Sequence, residues 1–127
     1  MRSRRRDAVL ECVELFRGSG VQVTLTQVMA FLYIAENEGL SITELGLVCG
    51  TTLPTASRAA RSLYPSERPE ALPPFLGLVE PHQHPAIAHG RLLHLTGAGE
   101  QLRDRIDGII RDAAPICARE GASISQM

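Results

Sequence analysis

The chain has 127 residues, which favours a single domain, and its hydrophobic content of 44% is sufficient for a core. Only 4% of the residues are aromatic, so we expect an aliphatic core of packed helices. No apolar run is long enough to cross a bilayer. The three cysteines are odd in number and widely spaced, which argues against a disulfide framework or a structural zinc site. Because the net charge is −1, any basic surface must be local.

The N-terminal region predicts a basic arm followed by a helix. Every basic residue of the chain is an arginine, and four of them fall within residues 1–6, which predict a mobile arm. Apolar side chains recur at helical spacing from Asp7 to about Arg17. Glu11 and Glu14 interrupt what would be the apolar centre of a signal peptide, so we expect a cytoplasmic protein.

A second helix is predicted from Thr24 to near Gly39. Thr24 and Gln27 have capping-box spacing, in which each side chain binds the backbone N–H of the other residue. The helix that follows is strongly apolar, with Val28, Phe31 and its neighbours, and we expect it in the centre of the domain.

Residues 41–63 predict two short helices joined by a tight turn. Ser41 and Glu44 form another capping-box pattern, and Gly50 is able to end the first helix with a positive φ. Pro54 is tolerated in the first turn of the second helix, whose alanines we expect to face inward with Leu63. A helix with small inner residues and an outer face of threonine, serine and arginine suits insertion into a DNA major groove. The outward-facing residues are Thr55, Ser57, Arg58 and Arg61.

The next part of the chain predicts a loop and a β-wing. Four prolines within residues 64–75 exclude a regular helix or a central strand. Residues 76–80 and 91–95 predict two strands, and residues 81–90 predict the hairpin connection between them. A last helix is predicted over 97–119, opened by Thr96 and kinked or ended at Pro115. Its apolar residues have the 4-3-4-3 spacing of a helix-packing seam: Leu102, Ile106, Ile109, Ala113 and Ile116.

The order of these elements and three sequence stretches resemble the MarR family of winged-helix transcription regulators. The stretches are LTQVMAFLYIAENEGLSITELG, TLPTASRAARSL and GLVE…RLLHLTGAGEQL, within residues 25–102. The resemblance implies a cytoplasmic homodimer on pseudo-palindromic DNA, with recognition helices in major grooves and wings at the minor groove. It also implies dimerisation through the first and last helices and leaves room for a small-molecule effector between the dimerisation and DNA-binding parts.

The chain departs from the family pattern at two places. The proline-rich loop resembles an insertion, since family members pass from the recognition helix to the GLV strand in a few residues. The wing of the family carries a D-x-R pattern, and the corresponding positions here hold Ile87 and His89, which leaves Arg91 as the strongly basic residue. The recognition helix is therefore expected to supply more of the DNA affinity.

The sequence thus predicts a mainly α fold with a small antiparallel β-wing, a winged helix-turn-helix. One domain spans residues 1–127, and terminal helices at about 7–17 and 97–119 form its dimerisation part. We expect a sequence-specific regulator of double-stranded DNA, a repressor that occludes a promoter. The predicted DNA contacts are Thr51, Thr52, Thr55, Ser57, Arg58, Arg61, His89 and Arg91, and the predicted dimer contacts are Val9, Val13, Leu102, Ile106, Ile109, Ala113 and Ile116.

Other interpretations of the same residues stay open. The arginines are also consistent with solvated surface, and Thr51 or Thr52 with a helix cap alone. His82 and His84 alternate on one strand face and could share a metal with Glu80, although no metal or other cofactor is expected. Cys12 lies where some family members sense peroxide, but no nearby cation lowers its pKa. The alternative function is a winged-helix protein-interaction module, an assembly factor or antirepressor with little DNA affinity. No catalytic motif indicates an enzyme.

Overall fold

The computed structural model describes residues 5–18 and 22–113, with side chains from Asp7 onward in the first range. Five helices lie in these ranges: α1 (Arg5–Arg17), α2 (Leu25–Glu36), α3 (Ile42–Cys49), α4 (Leu53–Ser62) and α5 (Gly97–Arg111). Three strands accompany them: β1 (Leu40–Ser41), β2 (Val79–Gln83) and β3 (Arg91–Leu95). Residues 1–4 of the predicted arm, the predicted end of the last helix at 119, Ile116 and Cys117 lie outside the described residues.

Side-chain caps fix where the central helices begin. The Thr24 hydroxyl accepts the Gln27 N–H at 3.1 Å, and the Gln27 side chain accepts the Thr24 N–H at 2.8 Å. Ser41 and Glu44 make the same reciprocal pair at 3.1 and 2.9 Å. Each pair satisfies two backbone donors that have no partner within the helix. The two predicted capping boxes are therefore confirmed.

The turn between α3 and α4 also has the predicted geometry. Gly50 ends α3 in the left-handed region with φ of 69°, a conformation that a side chain would disfavour. Thr52 then caps α4, and Pro54 lies in its first turn. Only Thr51 and Thr52 separate Gly50 from the first residue of α4.

The three strands form one antiparallel sheet in the order β1-β3-β2. Leu40 pairs with Leu93, and Val79 pairs with Leu95. The sequence did not predict β1, which has only two residues and directly precedes a helix cap. The predicted bounds 76–80 of the first wing strand are wrong, since β2 begins at Val79 and ends at Gln83, whereas the predicted strand over 91–95 is confirmed.

The boundaries of two helices also differ from the prediction. α1 begins at Arg5, so the last two residues of the predicted arm belong to the helix, and α2 ends at Glu36 rather than near Gly39. Gly39 has φ of 98° and donates its N–H to the Leu93 carbonyl at 2.8 Å, which turns the chain from α2 into β1.

The core lies between α2, the helix pair α3–α4 and the inner face of the sheet. Phe31 and Ile34 of α2 are fully buried in it, and the rings of Phe16 and Phe31 meet edge-on with centroids 5.6 Å apart. The other large, fully buried side chains are Leu45, Leu63, Tyr64, Val79 and Leu93. Because α2 contacts α3, α4, α5 and β3, it has the central place that its apolar sequence predicts.

Residues 65–76, which we call the Pro-rich segment, contain no helix or strand, and all of them are described. Backbone N–H groups of Leu72, Leu76, Gly77 and Leu78 bind the carbonyls of residues 61, 62, 64 and 63 in turn, at 2.8–3.3 Å. Carbonyls at a helix C-terminus lack partners within the helix. The Pro-rich segment and the two residues after it therefore act as the cap of α4. No helix among the described residues is long and apolar enough to span a membrane.

Candidate nucleic-acid interface

The two faces of α4 differ in the way that the sequence predicts. Ala56, Ala59 and Ala60 are buried and face α2 and α3. Alanine side chains end at Cβ, so they allow close approach of these helices. Arg58 is exposed on the opposite face, whereas the predicted contacts Thr55, Ser57 and Arg61 are each half-buried. The predicted outer face thus exists, but it is narrower than the sequence suggests.

The threonines cluster at the start of α4. The Thr52 hydroxyl accepts the Thr55 N–H at 3.3 Å and donates to the Thr55 hydroxyl at 3.0 Å. The Thr51 hydroxyl donates to the Thr52 carbonyl at 3.4 Å. Thr52 is therefore a helix cap, as the alternative interpretation predicts. The side chain of Thr52 is nevertheless exposed to solvent.

The two arginines of α4 have different surroundings. Arg58 has no hydrogen bond or ion pair within the part of the chain that the structure describes. Arg61 instead donates its Nε–H to the Glu70 carbonyl at 2.8 Å, in a partly buried hydrogen bond. Arg58 is thus available to an external acceptor, while one nitrogen of Arg61 is already occupied by the Pro-rich segment.

A small polar cleft lies beside Arg58. It has a volume of about 270 Å³ and separates α4 from the start of α2 and from the Pro-rich segment. Its lining includes Arg58 and Thr55 of α4, Thr26 at the start of α2, and Leu72 and Pro73 of the Pro-rich segment. The sequence does not predict this arrangement, because its residues come from three separated stretches.

The connection between β2 and β3 is ordered by a histidine. His84 Nδ1 accepts the N–H groups of Ala86 and Ile87 at 2.9 and 3.2 Å, and the His84 N–H binds the Gly90 carbonyl. His89 is exposed beyond this turn, and Arg91 Nη1 donates to the Gly90 carbonyl at 3.1 Å. The predicted wing therefore projects as expected, with His89 and Arg91 near its tip.

The predicted pairing of His82 with His84 is wrong. β2 ends at Gln83, so His84 belongs to the turn and does not share a strand face with His82. His82 instead stacks on His94 of the neighbouring strand, with centroids 4.2 Å apart and planes at 22°. Its Nε2 lies 3.0 Å from Glu80 Oε2. The described residues contain no group of three or more side chains arranged for a metal ion.

Glu38 joins the base of the wing to α5, a role that the sequence does not predict. Its Oε1 accepts the Leu95 N–H at 2.8 Å and lies 3.7 Å from His94 Nδ1. Its Oε2 lies 3.9 Å from Arg103 Nη1. These partners are far from Glu38 in sequence, so no local pattern signals the contact.

An apolar groove of about 910 Å³ lies between α1, α2 and α5, away from α4. Val9, Val13 and Ile110 line it and are 59%, 45% and 59% exposed. Ile106 and Ala113 are buried against their own chain, and Leu102 and Ile109 are half-buried. The predicted seam on α5 is therefore partly intramolecular core. The exposed apolar side chains that remain come mainly from α1 and from Ile110.

Two cysteines are described, and both are reduced and half-buried. Burial raises the pKa of the Cys12 thiol, and the nearby Glu11 carboxylate raises it further. Burial also raises the pKa of Cys49. Both surroundings disfavour the thiolate, which is the reactive form of cysteine.

Comparison with solved structures identifies the fold. The chain is similar to E. coli MarR (19% identity, TM-score 0.56), with 83% of this chain and 72% of that chain covered. It is similar to the transcriptional repressor CouR bound to a 23-mer DNA duplex (22% identity, TM-score 0.56, 84% and 69% covered). It is also similar to the PcaV transcriptional regulator of Streptomyces coelicolor in complex with its natural ligand (18% identity, TM-score 0.54, 84% and 70% covered).

No protein-family model and no curated protein matches the sequence. The structural likeness, five helices and a three-stranded sheet with a projecting hairpin, agrees with the resemblance carried by the sequence motifs. The chain therefore has the winged helix-turn-helix fold of MarR-family transcriptional regulators.

Proposed function

We propose that this protein is a sequence-specific double-stranded DNA-binding transcription regulator, a repressor that occludes its promoter as a homodimer. The observation that carries the proposal is the exposed Arg58 guanidinium, which has no partner within the described residues and extends from the outer face of the capped helix α4. A guanidinium in this position is suited to donate to a phosphate or to a guanine edge in the major groove.

The remaining DNA contacts follow from the geometry of α4 and the wing. The start of α4 offers the hydroxyls of the exposed Thr52 and of the half-buried Thr51 and Thr55, and Ser57 lies on the same helix. Side-chain hydroxyls bind either phosphates or base edges. His89 and Arg91 would contact the DNA from the wing. The similarity in fold to CouR, which is bound to a DNA duplex, supports this placement.

The homodimer would form across the apolar groove between α1, α2 and α5. Val9, Val13 and Ile110 are exposed and line the same groove, and a contiguous exposed apolar patch of this kind is typical of an interaction surface. Within the groove, Leu102 and Ile109 add half-buried apolar surface. A small-molecule effector would use the part of the groove nearest α2. The ligand complex of PcaV, which is similar in fold, supports an effector of this kind.

One observation favours the alternative function. Leu47 at the end of α3 is 77% exposed, and Leu53 at the start of α4 is also exposed, so the helix pair carries apolar surface beside its arginine. A protein-interaction module would use that surface, and its binding would depend little on salt. Salt dependence therefore separates the two functions.

Selection of bound sequences from random duplex DNA, followed by anisotropy titrations at several salt concentrations, tests the proposal. We expect an enriched, pseudo-palindromic site and a log–log salt slope of about −0.9 for each phosphate contact. Arg58→Ala should weaken specific binding by about 10- to 100-fold, the value of one arginine–guanine contact. Arg105→Ala on the exposed side of α5 is the matched control. No enrichment, or equal affinity for the Arg58→Ala variant, contradicts the DNA-binding proposal.

A further inference from the structure

We infer that Arg61 is a positioning residue, which holds the Pro-rich segment against α4 and so shapes the cleft beside Arg58. The inference rests on the proposed function, because the cleft matters only if Arg58 binds DNA. The pattern of outward-facing residues on α4 predicts that Arg61 contacts DNA, whereas the role inferred for it is to position another part of the chain.

Arg61 makes two hydrogen bonds to the middle of the Pro-rich segment. Its Nε–H donates to the Glu70 carbonyl at 2.8 Å, and its own carbonyl accepts the Leu72 N–H at 3.0 Å. The two bonds are made by opposite ends of the residue to positions two apart in the segment. Arg61 therefore binds the residues on both sides of Ala71, namely Glu70 and Leu72, and holds the segment to α4 at two points.

The end of the segment has separate attachments. Leu76 N–H binds the Ser62 carbonyl at 3.1 Å, and the next residue, Gly77, binds the Tyr64 carbonyl at 3.3 Å. These bonds, like the bond from Leu72 to the Arg61 carbonyl, are between backbone groups and survive a change of the Arg61 side chain. Among the hydrogen bonds of the described residues, the Arg61 side chain supplies the one side-chain tie from α4 to the middle of the segment.

The part held by Arg61 is the part that lines the cleft. Leu72, which is bonded to the Arg61 carbonyl, and Pro73, which follows it, line the cleft together with Arg58 and Thr55. Without the Arg61 side chain, the backbone bond to Leu72 is the one hydrogen bond among the described residues that still ties residues 70–73 to α4, so the residues that line the cleft are freer to shift relative to Arg58. We therefore expect Arg58, although it is itself unchanged, to contact DNA more weakly.

We call the hydrogen bond from Arg61 Nε to the Glu70 carbonyl the clamp. It needs an N–H donor at that position but does not need a positive charge. A glutamine Nε2 is separated from Cα by the same number of bonds as an arginine Nε, so Arg61→Gln keeps an N–H donor at the right distance and removes the charge. Arg61→Met has a similar length and provides neither donor nor charge. Because Arg61 is only half-buried, neither change removes a core side chain.

Amide hydrogen exchange followed by NMR tests the clamp without DNA. In Arg61→Met the Ala71 and Leu72 amides keep their own bonds to the Arg68 and Arg61 carbonyls. We expect these bonds to open more often once the charged hydrogen bond to the neighbouring Glu70 carbonyl is lost, so that both amides exchange about tenfold faster. In Arg61→Gln their rates should stay within about twofold of the parent. The Leu78 amide, bound to the Leu63 carbonyl, is the internal reference. Equal rates in the parent and Arg61→Met overturn the clamp.

Salt-dependent titration with the selected duplex tests the role in DNA binding. We expect Arg61→Met to weaken binding and Arg61→Gln to leave it close to the parent, with the parent salt slope in both variants. A slope reduced by about 0.9 in both variants means that Arg61 neutralises a phosphate, which overturns the inference. If the parent binds no duplex, the proposed function fails and the role in DNA binding falls with it, while the exchange rates still decide whether the clamp exists.

Discussion

Gly99 of α5 lies directly against the carbonyl of Leu78. A Cβ built on Gly99 would collide with the Leu78 carbonyl oxygen, which is backbone and unable to rotate away. The same junction is closed by the Thr96 N–H, which binds that carbonyl at 3.0 Å, and by the Thr96 hydroxyl, which donates to the Gly77 carbonyl at 2.6 Å. α5 packs closely against Leu78, the residue before β2, because Gly99 has no side chain.

Gly99→Ala should therefore destabilise the fold by about 1–3 kcal/mol, the usual cost of overpacking. Urea or thermal unfolding measures this change, which corresponds to a fall in Tm of about 5 °C or more. Gly97→Ala, in the same turn of α5, is the matched control, because a Cβ there meets no atom within 4 Å. Equal stability of the two variants would mean that the junction has room for a methyl group.

The stability supplied by the Ser41–Glu44 capping box should depend on pH. Hydrogen bonds from the Ser41 backbone and side chain lower the pKa of Glu44 in the folded protein. A carboxyl whose pKa is lower in the folded state stabilises that state above its unfolded pKa of about 4.3, and the contribution is lost as pH falls through the folded value. The stability advantage of the parent over Glu44→Gln should accordingly be constant near neutral pH and decline in acid.

The other capping box provides the control for that pH dependence. Gln27 makes the same bond to Thr24 without a charge. Gln27→Glu should add a pH-dependent contribution of the same sign, measured by urea unfolding between pH 7 and pH 3. Parallel profiles for the parent and Glu44→Gln at every pH would show that the charge of Glu44 contributes nothing.

A charge in the apolar groove should separate the proposed dimer. Val13→Glu places a carboxylate on the exposed strip of α1, and burying it without a partner should raise the dimer dissociation constant by at least about a hundredfold. Sedimentation velocity over a range of concentrations measures this constant. Leu47→Glu makes the same change on α3, outside the groove, and should stay dimeric. A monomeric parent, or a Val13→Glu dimer of parent strength, would exclude the groove as the interface.

We expect the Cys12 thiol to react slowly with alkylating reagents and with peroxide. Burial and Glu11 raise its pKa, so its thiolate fraction at pH 7.5 is below that of a free cysteine. In a Cys49→Ser, Cys117→Ser background, iodoacetamide should label Cys12 more slowly than a cysteine peptide. Peroxide should leave DNA binding by the parent and by Cys12→Ser alike. Fast labelling, or peroxide-dependent loss of binding in the parent alone, would favour the redox-sensing interpretation.

The parts of the fold that the sequence predicted are those set by neighbouring residues. A hydroxyl and a carboxyl three residues apart satisfy each other within one helix turn, so the Ser41–Glu44 box needs no tertiary information. The same holds for Gly50 at the end of α3. The buried alanines of α4 follow from helical periodicity, and all of these features are observed.

The predictions that failed concern backbone groups whose partners are distant in sequence. Residues 76–78 have the composition of a strand, but their N–H groups bind the carbonyls at the end of α4, so β2 starts only at Val79. That shift places His82 in the strand and His84 in the turn. In the candidate site, the outer face of α4 was predictable, whereas the tie from Arg61 to Glu70 spans nine residues of irregular chain and has no periodic signal.

The Gly77–Tyr64 hydrogen bond brings the two ends of the Pro-rich segment together, so the chain leaves the domain and returns to it at nearly one point. A loop closed in this way can differ in length without changing the direction of the helix before it or the register of the strand after it. Insertions and deletions that spare the bonded residues Glu70, Leu72 and Leu76 would then alter the surface beside Arg58 while the cap of α4 stays in place. The segment is consequently the natural place to graft a longer or shorter peptide when redesigning what this domain recognises.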